Sequence, residues 1–352
     1  MKKVYINSVA SISAQKTYDN SEFLEDIISH TETKLPVVNP NYKEFIPPAA
    51  ARRMAKGIKM GVVASQLALN EAGLENVDAI ITGTGMGCVR DSEKFLSAII
   101  DNSEQYLTPT SFIQSTHNTV GGQIALGINC KGYNFTYVHS SVSFESALLD
   151  AKLMLNCDEA SSILVGGVDE LGDHTFKFHQ LANHVKQETV NSSALLQSAT
   201  KGAVFGEGAN FFVIGSQQES SYAEVLSVKT YNTLADNISD LVTSFLKENN
   251  ISVNAIDAVV LGNNGDVDYD SYYTDLSENL FSNTQQLYYK HLSGEFNTAS
   301  SFGIWLAAKV LKTQQLPKAV KLNDVKTDQF EYVLLYNQYR GENHSLTLLR
   351  KC

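Results

Sequence analysis

Residues 137–148 read Tyr-Val-His-Ser-Ser-Val-Ser-Phe-Glu-Ser-Ala-Leu, an extended run handing over to a helix. A nucleophile is readily activated at such a handover. The first helical turn offers unpaired N–H donors and a positive dipole end, which stabilise an oxyanion and lower a thiol pKa. Elsewhere, His174, His179 and His184 recur at intervals of five. That interval matches neither one helix face nor a finger motif, and no acidic or thiol ligand is phased with it, so no metal site is expected. Cys88, Cys130, Cys157 and Cys352 show no CxxC spacing and no zinc-like pairing with histidine, and read as reduced thiols.

The elements that must position these residues alternate. Residues 4–12 alternate like a strand, and residues 49–72 carry Met54, Ile58, Met60, Val63, Leu67 and Leu69 at helical spacing up to Gly73. Residues 78–83 are a short apolar run suited to a strand buried on both faces, followed by a helix over 93–100. The alternation returns as a strand at 134–138, a helix at 143–156, a buried strand at 161–167 and a closing strand at 203–215. A comparable order follows: strand 222–229, helix 238–248, strand 258–262, helices 271–281 and 300–313, then strands 332–337 and 345–349. Two α/β halves of similar layout predict an internal duplication, divided into 1–218 and 219–352. Segments 14–48 and 169–200 are polar without a clear period and read as surface excursions.

The bulk numbers narrow the class. A chain of 352 residues that is 43% hydrophobic and 18% charged buries a large core without disulfides or metals. A net charge of −11 with no Lys/Arg cluster argues against a nucleic-acid partner. No apolar h-region opens the chain and no run of eighteen apolar residues interrupts it, so the expectation is a cytoplasmic protein without a membrane span.

Around the handover the sequence resembles the β-ketoacyl synthases, whose strand leads into Thr-Ala-Cys-Ala-Ser-Gly and a helix. The nucleophilic cysteine falls on Ser141, the family serine on Ser143 and a helical alanine on Ala147. The glycine-rich turn Gly83-Thr84-Gly85-Met86-Gly87-Cys88 is similar to the family's, as are Leu107–Phe112 with His117-Asn118, Val165–Glu170 and Phe205-Gly206-Glu207-Gly208-Ala209. The match covers almost the whole chain. It is nearest in tone to the small synthase-like proteins of aryl polyene and flexirubin-type pigment clusters. The resemblance implies a thiolase-like α/β fold, with two βαβαβ halves layered α-β-α-β-α.

The departures fall on the chemistry. The family's two histidines, which decarboxylate a malonyl unit and stabilise the enolate, correspond to Asn264, within Asn263-Asn264-Gly265-Asp266, and to Glu295; the family lysine is kept as Lys290. The glycine-rich C-terminal loop corresponds to residues 337–343 and has lost most of its glycines. A serine needs a neighbouring base, asparagine exchanges no proton near neutral pH, and an ionised glutamate repels an enolate. His139, two residues before Ser141, is separated from it by a turn. His117 is a better candidate by family position, against the plainer role of a hydrogen-bonded histidine in a polar turn.

The resemblance therefore implies a non-catalytic, chain length factor-like subunit. It would pair with an active β-ketoacyl synthase, without a cofactor, in carrier-protein-dependent fatty acid or polyketide elongation. Phe112, with Ile113 and Gln114, would lie near the subunit interface, and Tyr339 and Arg340 in the gating loop. Arg52, Lys56 and Lys59, on one face of the first helix at i, i+4 and i+7, would form a dock for an acidic acyl carrier protein. Two alternatives stand beside this. One is an acyltransferase, hydrolase or malonyl decarboxylase using Ser141; the other is a homodimeric protein binding acyl groups or the carrier.

Overall fold

Strands that are apolar on both faces need a layer on each side, and the burial pattern shows where those layers lie. The structure, a computed structural model, describes residues 2–20, 22–234 and 237–352. Ten strands pair in one large sheet among them: β1 (Tyr5–Ile12), β2 (Ala79–Gly83), β3 (Tyr133–Tyr137), β4 (Ser162–Asp169), β5 (Gly208–Gly215), β6 (Ala223–Tyr231), β7 (Ala258–Leu261), β8 (Gln285–Tyr288), β9 (Tyr332–Tyr339) and β10 (Glu342–Arg350). Their order is β8-β7-β9-β10-β6-β1-β5-β4-β2-β3.

The duplication expected from the sequence is visible in this order. In the first half β2 lies parallel between β3 and β4, β5 is antiparallel to β4, and β1 is antiparallel to β5. In the second, β7 lies parallel between β8 and β9, β10 is antiparallel to β9, and β6 to β10. The halves meet where Tyr5 and Ile6 pair with Glu224 and Ala223.

The helices are α1 (Lys56–Ala72), α2 (Val89–Asp101), α3 (Pro109–Ser115), α4 (Thr119–Gly127), α5 (Ser143–Asn156), α6 (Asp173–Leu181), α7 (Ile238–Glu248) and α8 (Ser300–Thr313). Alternate strand residues point to opposite faces, and this sorts the core into layers. Val165 and Phe212 pack inward with Phe144 and Leu148 of α5, Trp305 and Leu306 of α8, and Val260 and Leu335 of the second half. Leu164, Phe211 and Val213 face outward onto Ile58 and Val63 of α1 and Ile124 of α4. Val259 and Leu334 face outward onto Val242 and Phe245 of α7. The result is a layered α-β-α-β-α arrangement with α5 and α8 at its centre.

Several local readings change. The helix expected over 49–72 is broken: Pro48–Ala51 is a separate turn capped by Arg52, and α1 begins at Lys56. Arg52 therefore does not share a helix with Lys56 and Lys59. The helix expected over 271–281 is an α-helical turn, Ser271–Asp275, continued by a π-helical one, Leu276–Leu280. Strand β8 and helices α3 and α4 carry no long periodic signal, and the sequence does not predict them. Segment 169–200 is not only surface: it holds α6, and Val185 bridges to Ala203.

Candidate active site

Strand β3 ends in the turn Ser140–Val142, and α5 starts at Ser143. The Ser143 hydroxyl accepts from the His139 amide at 2.7 Å and donates to the Ser140 carbonyl at 2.7 Å, clamping the turn from both sides. Within it the two serines part ways. Ser141 is 1% exposed and its Oγ has no hydrogen-bond partner among the described residues. Ser140 is exposed, with a left-handed φ of +49°. His139 is exposed and its Nδ1 lies 3.4 Å from Ser146 Oγ, along the helix.

Asn264 and Glu295, which the resemblance sets against the family's two histidines, do converge. Glu295 Oε2 accepts from Lys290 Nζ and from Asn264 Nδ2, each at 2.7 Å. Asn264 Oδ1 accepts from the Asp266 amide at 3.1 Å, and the Asp270 carboxylate takes the Asn264 and Gly265 amides at 3.2 and 2.9 Å. Burial pushes Asp270 up to about 6, against those two amides and Lys290, which pull the other way. The lysine and glutamate side chains are 0% and 2% exposed, so the group is closed as well as paired. Beside it Glu145 is buried. Its Oε1 accepts from Ser345 Oγ at 2.9 Å, its Oε2 has no partner among the described residues, and burial raises its pKa.

A cavity of about 470 Å³ opens next to Ser140. Met86, Val89, Leu171, Phe178, Phe205 and Phe296 form its apolar wall, with Tyr339, His179 and Asp169 as polar members. Asp169 fixes two sides of it. Its Oδ1 takes the Thr84 hydroxyl and the Gly85 and Met86 amides, and its Oδ2 takes the Thr298 amide and hydroxyl, all at 2.8–3.3 Å. Gly85 must be glycine, because a Cβ there would lie 2.0 Å from Asn297 Nδ2.

The residues of the C-terminal loop form a tight hairpin. Tyr339 pairs with Glu342 across Arg340 (φ +53°) and Gly341 (φ +78°), the backbone of a type I′ turn. His344 holds it, with Nδ1 2.8 Å from Tyr336 Oη and Nε2 3.0 Å from the Gly341 carbonyl. Tyr339 thus lines the cavity, while Arg340 turns to Asp266 at 3.5 Å and stacks over Tyr269 at 4.9 Å.

Of the remaining sequence candidates, Phe112 is 55% exposed against Phe95, and His117 packs by Gly87; neither lines the cavity. Lys56 is held by buried Glu207, so it is not a free charge on a helix face. His179 and His184 do meet, Nδ1 to Nδ1 at 3.2 Å. Among the described residues no group of three or more His, Cys, Asp or Glu could hold a metal. The sequence presents His179 only as one of three evenly spaced histidines and Ser140 only as a neighbour of Ser141, with no sign that they and α6 line one cavity. Only the positive φ and the chain reversal after β4 bring them together, although Phe176, Phe178 and Leu181 within a polar segment were a signal.

Comparison with known proteins agrees with the layered architecture. Residues 14–220 match the family model described as the N-terminal domain of β-ketoacyl synthase. No curated protein sequence matches the chain. Among solved structures, the ishigamide ketosynthase/chain length factor aligns with a TM-score of 0.81 at 16% identity, over 100% of this chain and 99% of that one. The ketosynthase ApeO in complex with its chain length factor ApeC, from Xenorhabdus doucetiae, gives 0.77 at 13% identity, over 100% and 98%. The AntDE:AntF complex, described as a type II acyl-carrier protein with its ketosynthase, gives 0.75 at 16% identity over 100% of both chains. At these identities the likeness shows the thiolase-like ketosynthase fold. The family model covers more than half of the sequence, and the chain belongs to the β-ketoacyl synthase family.

Proposed function

We propose that this chain is a non-condensing, chain length factor-like subunit of a 3-oxoacyl-[acyl-carrier-protein] synthase, pairing with an active ketosynthase in aryl polyene-type elongation. The observation that carries this reading is the closed Lys290–Glu295–Asn264 network. Where decarboxylation needs two imidazoles facing a substrate, it has a buried ion pair and an amide bonded to each other. With Ser141 also sealed, the condensing positions offer neither a nucleophile nor a proton donor.

The surface supports a partner of the same fold. Strand β3 is an edge strand, and it carries no charge from Tyr133 to Tyr137. Tyr133 and Phe135 are 42% and 45% exposed, with stacked rings, and Phe112, Ile113 and Leu126 are also exposed. A flat, uncharged edge with exposed aromatics invites pairing with another strand. The occupant we assign is the matching edge of an active ketosynthase, because solved structures of this fold include a ketosynthase in complex with its chain length factor. On this reading 1–218 and 219–352 are the two halves. Acyl carrier protein approaches Arg52 and Lys59, with Lys56 engaged by Glu207, and the complex works in the cytoplasm.

Co-expression with the ketosynthase of the same gene cluster, then size-exclusion chromatography with mass determination, tests it. A one-to-one complex whose elongation survives Ser141→Ala is the expected result. A homodimer that leaves the synthase alone would overturn it.

A further inference from the structure

Helix α6 closes one side of the 470 Å³ cavity with Thr175, Phe178 and His179, yet none of its residues is buried. Phe176 packs against Leu171, Val185, Ala203 and Phe205, while Phe178 and Leu181 stay 66% and 70% exposed. Such a segment belongs to the low-stability end of a fold. Its first turn is tied by Lys34 to Asp173 and by Glu93, which accepts from the Thr175 amide at 2.6 Å. Its last turn is tied by two histidines. We propose that His179 and His184 form a proton-operated latch, which holds α6 against the cavity while the two imidazoles share one proton between them and releases it when both are cationic. This goes beyond the subunit reading and does not depend on it.

The two imidazoles belong to pieces of chain that are held differently. His179 rides on the last turn of α6. The chain then reverses at Asn183, where φ is +57°, and His184 lands on the body of the protein. Its carbonyl accepts from the Ala203 amide at 2.9 Å, and Val185 bridges to Ala203. Lys186, 2% exposed, fixes this segment further through the Thr200 and Gly265 carbonyls, at 2.9 and 2.8 Å. Across the reversal His179 Nδ1 and His184 Nδ1 lie 3.2 Å apart. Facing nitrogens at that distance need a proton on one and a lone pair on the other. A first added proton goes to an Nε2, away from the contact, and leaves it intact. A second sets N–H against N–H and two like charges side by side, and the contact breaks.

The surroundings set the direction of the switch. Arg340 faces the pair from the hairpin tip and Asp266 from the loop after β7, and these two are paired with each other. The 200–205 segment brings Lys201, bound to Asp268, and the uncharged Phe205, whose ring centroid lies 4.7 Å from that of His179. From α2 come Glu93, engaged by the Thr175 amide, and Arg90, engaged by Glu207; α6 itself carries Asp173, His174 and Lys177. Burial lowers the pKa of both imidazoles. His184 and Arg340 lower that of His179 further, and Arg340 that of His184, against the pull of Asp266. The closed contact is therefore fully present above the ordinary imidazole value of 6.5 and is lost as pH falls below it. Release carries Thr175, Phe178 and His179 away from the cavity and lays Met86, Leu171 and Phe205 open to solvent.

Hydrogen–deuterium exchange read by peptide mass tests the latch, on the full chain at about pH 7.5 and about pH 5, with rates corrected for the intrinsic pH dependence of exchange. The expected result is a fall in protection of at least about 10-fold across residues 173–184 in acid, with β1 and β5 unchanged. His184→Gln hydrogen-bonds either form of His179 and takes up no charge, so it should show equal α6 protection at both pH values. Arg340→Gln removes a cation from beside the pair and should move the midpoint of opening to higher pH. Thermal melting shows that each variant is folded. Equal protection of α6 at the two pH values in the parent overturns the proposal, and so does a fall that persists unchanged in His184→Gln. A fall that spreads to β1 and β5 overturns it too, because that is acid unfolding of the whole chain.

Discussion

Lys290 Nζ lies 2.7 Å from Glu295 Oε2, and both side chains are shut away from solvent. Removing one partner of a buried pair strands the other charge, which costs about 3–5 kcal/mol, while an apolar replacement of both is often neutral. Lys290→Met should therefore lower unfolding stability by that amount in urea titrations, and Lys290→Met with Glu295→Leu should recover most of it. Equal losses in the single and double variants would mean that the pair is not the stabilising unit.

Asp169 joins the Gly85–Met86 turn to Thr298, just before the central helix α8. Asp169→Ala leaves buried amides and hydroxyls without an acceptor, a loss of at least about 3 kcal/mol given the worth of bonds to a charged group. Chemical denaturation gives the magnitude; a change under 1 kcal/mol would contradict the tie.

Acid should weaken the fold through His291. Burial lowers its pKa to about 3, although the hydrogen bond to the Ala319 carbonyl acts in the opposite direction. Between pH 6.5 and 3 the unfolded chain binds the proton and the folded one does not. Its contribution is thus fully present above 6.5 and is lost as pH falls toward 3. His291→Gln should flatten the decline of melting temperature across pH 7 to 5 relative to the parent.

The hairpin tip depends on left-handed backbone at Gly341, where φ is +78°. Gly341→Ala should destabilise by about 1–2 kcal/mol, the penalty for an L side chain in that region. Hydrogen exchange at residues 338–343 should rise more than in the core strands.

Phe135→Lys tests the edge strand. The residue is 45% exposed, so unfolding stability should move by less than about 0.5 kcal/mol. A charge on the edge should nevertheless abolish co-purification with the ketosynthase. Retained complex would place the interface elsewhere.

Much of this protein was written in its sequence. Period and burial run together along α5, α7 and α8, so these helices were bounded to the residue. The apolar strands β2, β4 and β7 were evident because a strand covered on both faces is apolar at every position. The sequence also carries Ser141, Asn264 and Glu295 where the family resemblance expects a cysteine and two histidines. Residue identity decides whether a side chain can carry a proton, whatever the fold.

Tertiary structure decided the rest. Asn264, Lys290 and Glu295 form one closed group because the loop after β7 and the turn after β8 end at the same depth, and chain spacing does not encode that distance. Which of two adjacent serines meets the cavity turned on a single positive φ. The α6 wall took shape from polar sequence because Phe176 found an opposing surface in Phe205 and Leu171. Local pattern reports how a segment buries its own face; what that face meets is set by the packing of elements distant in the chain.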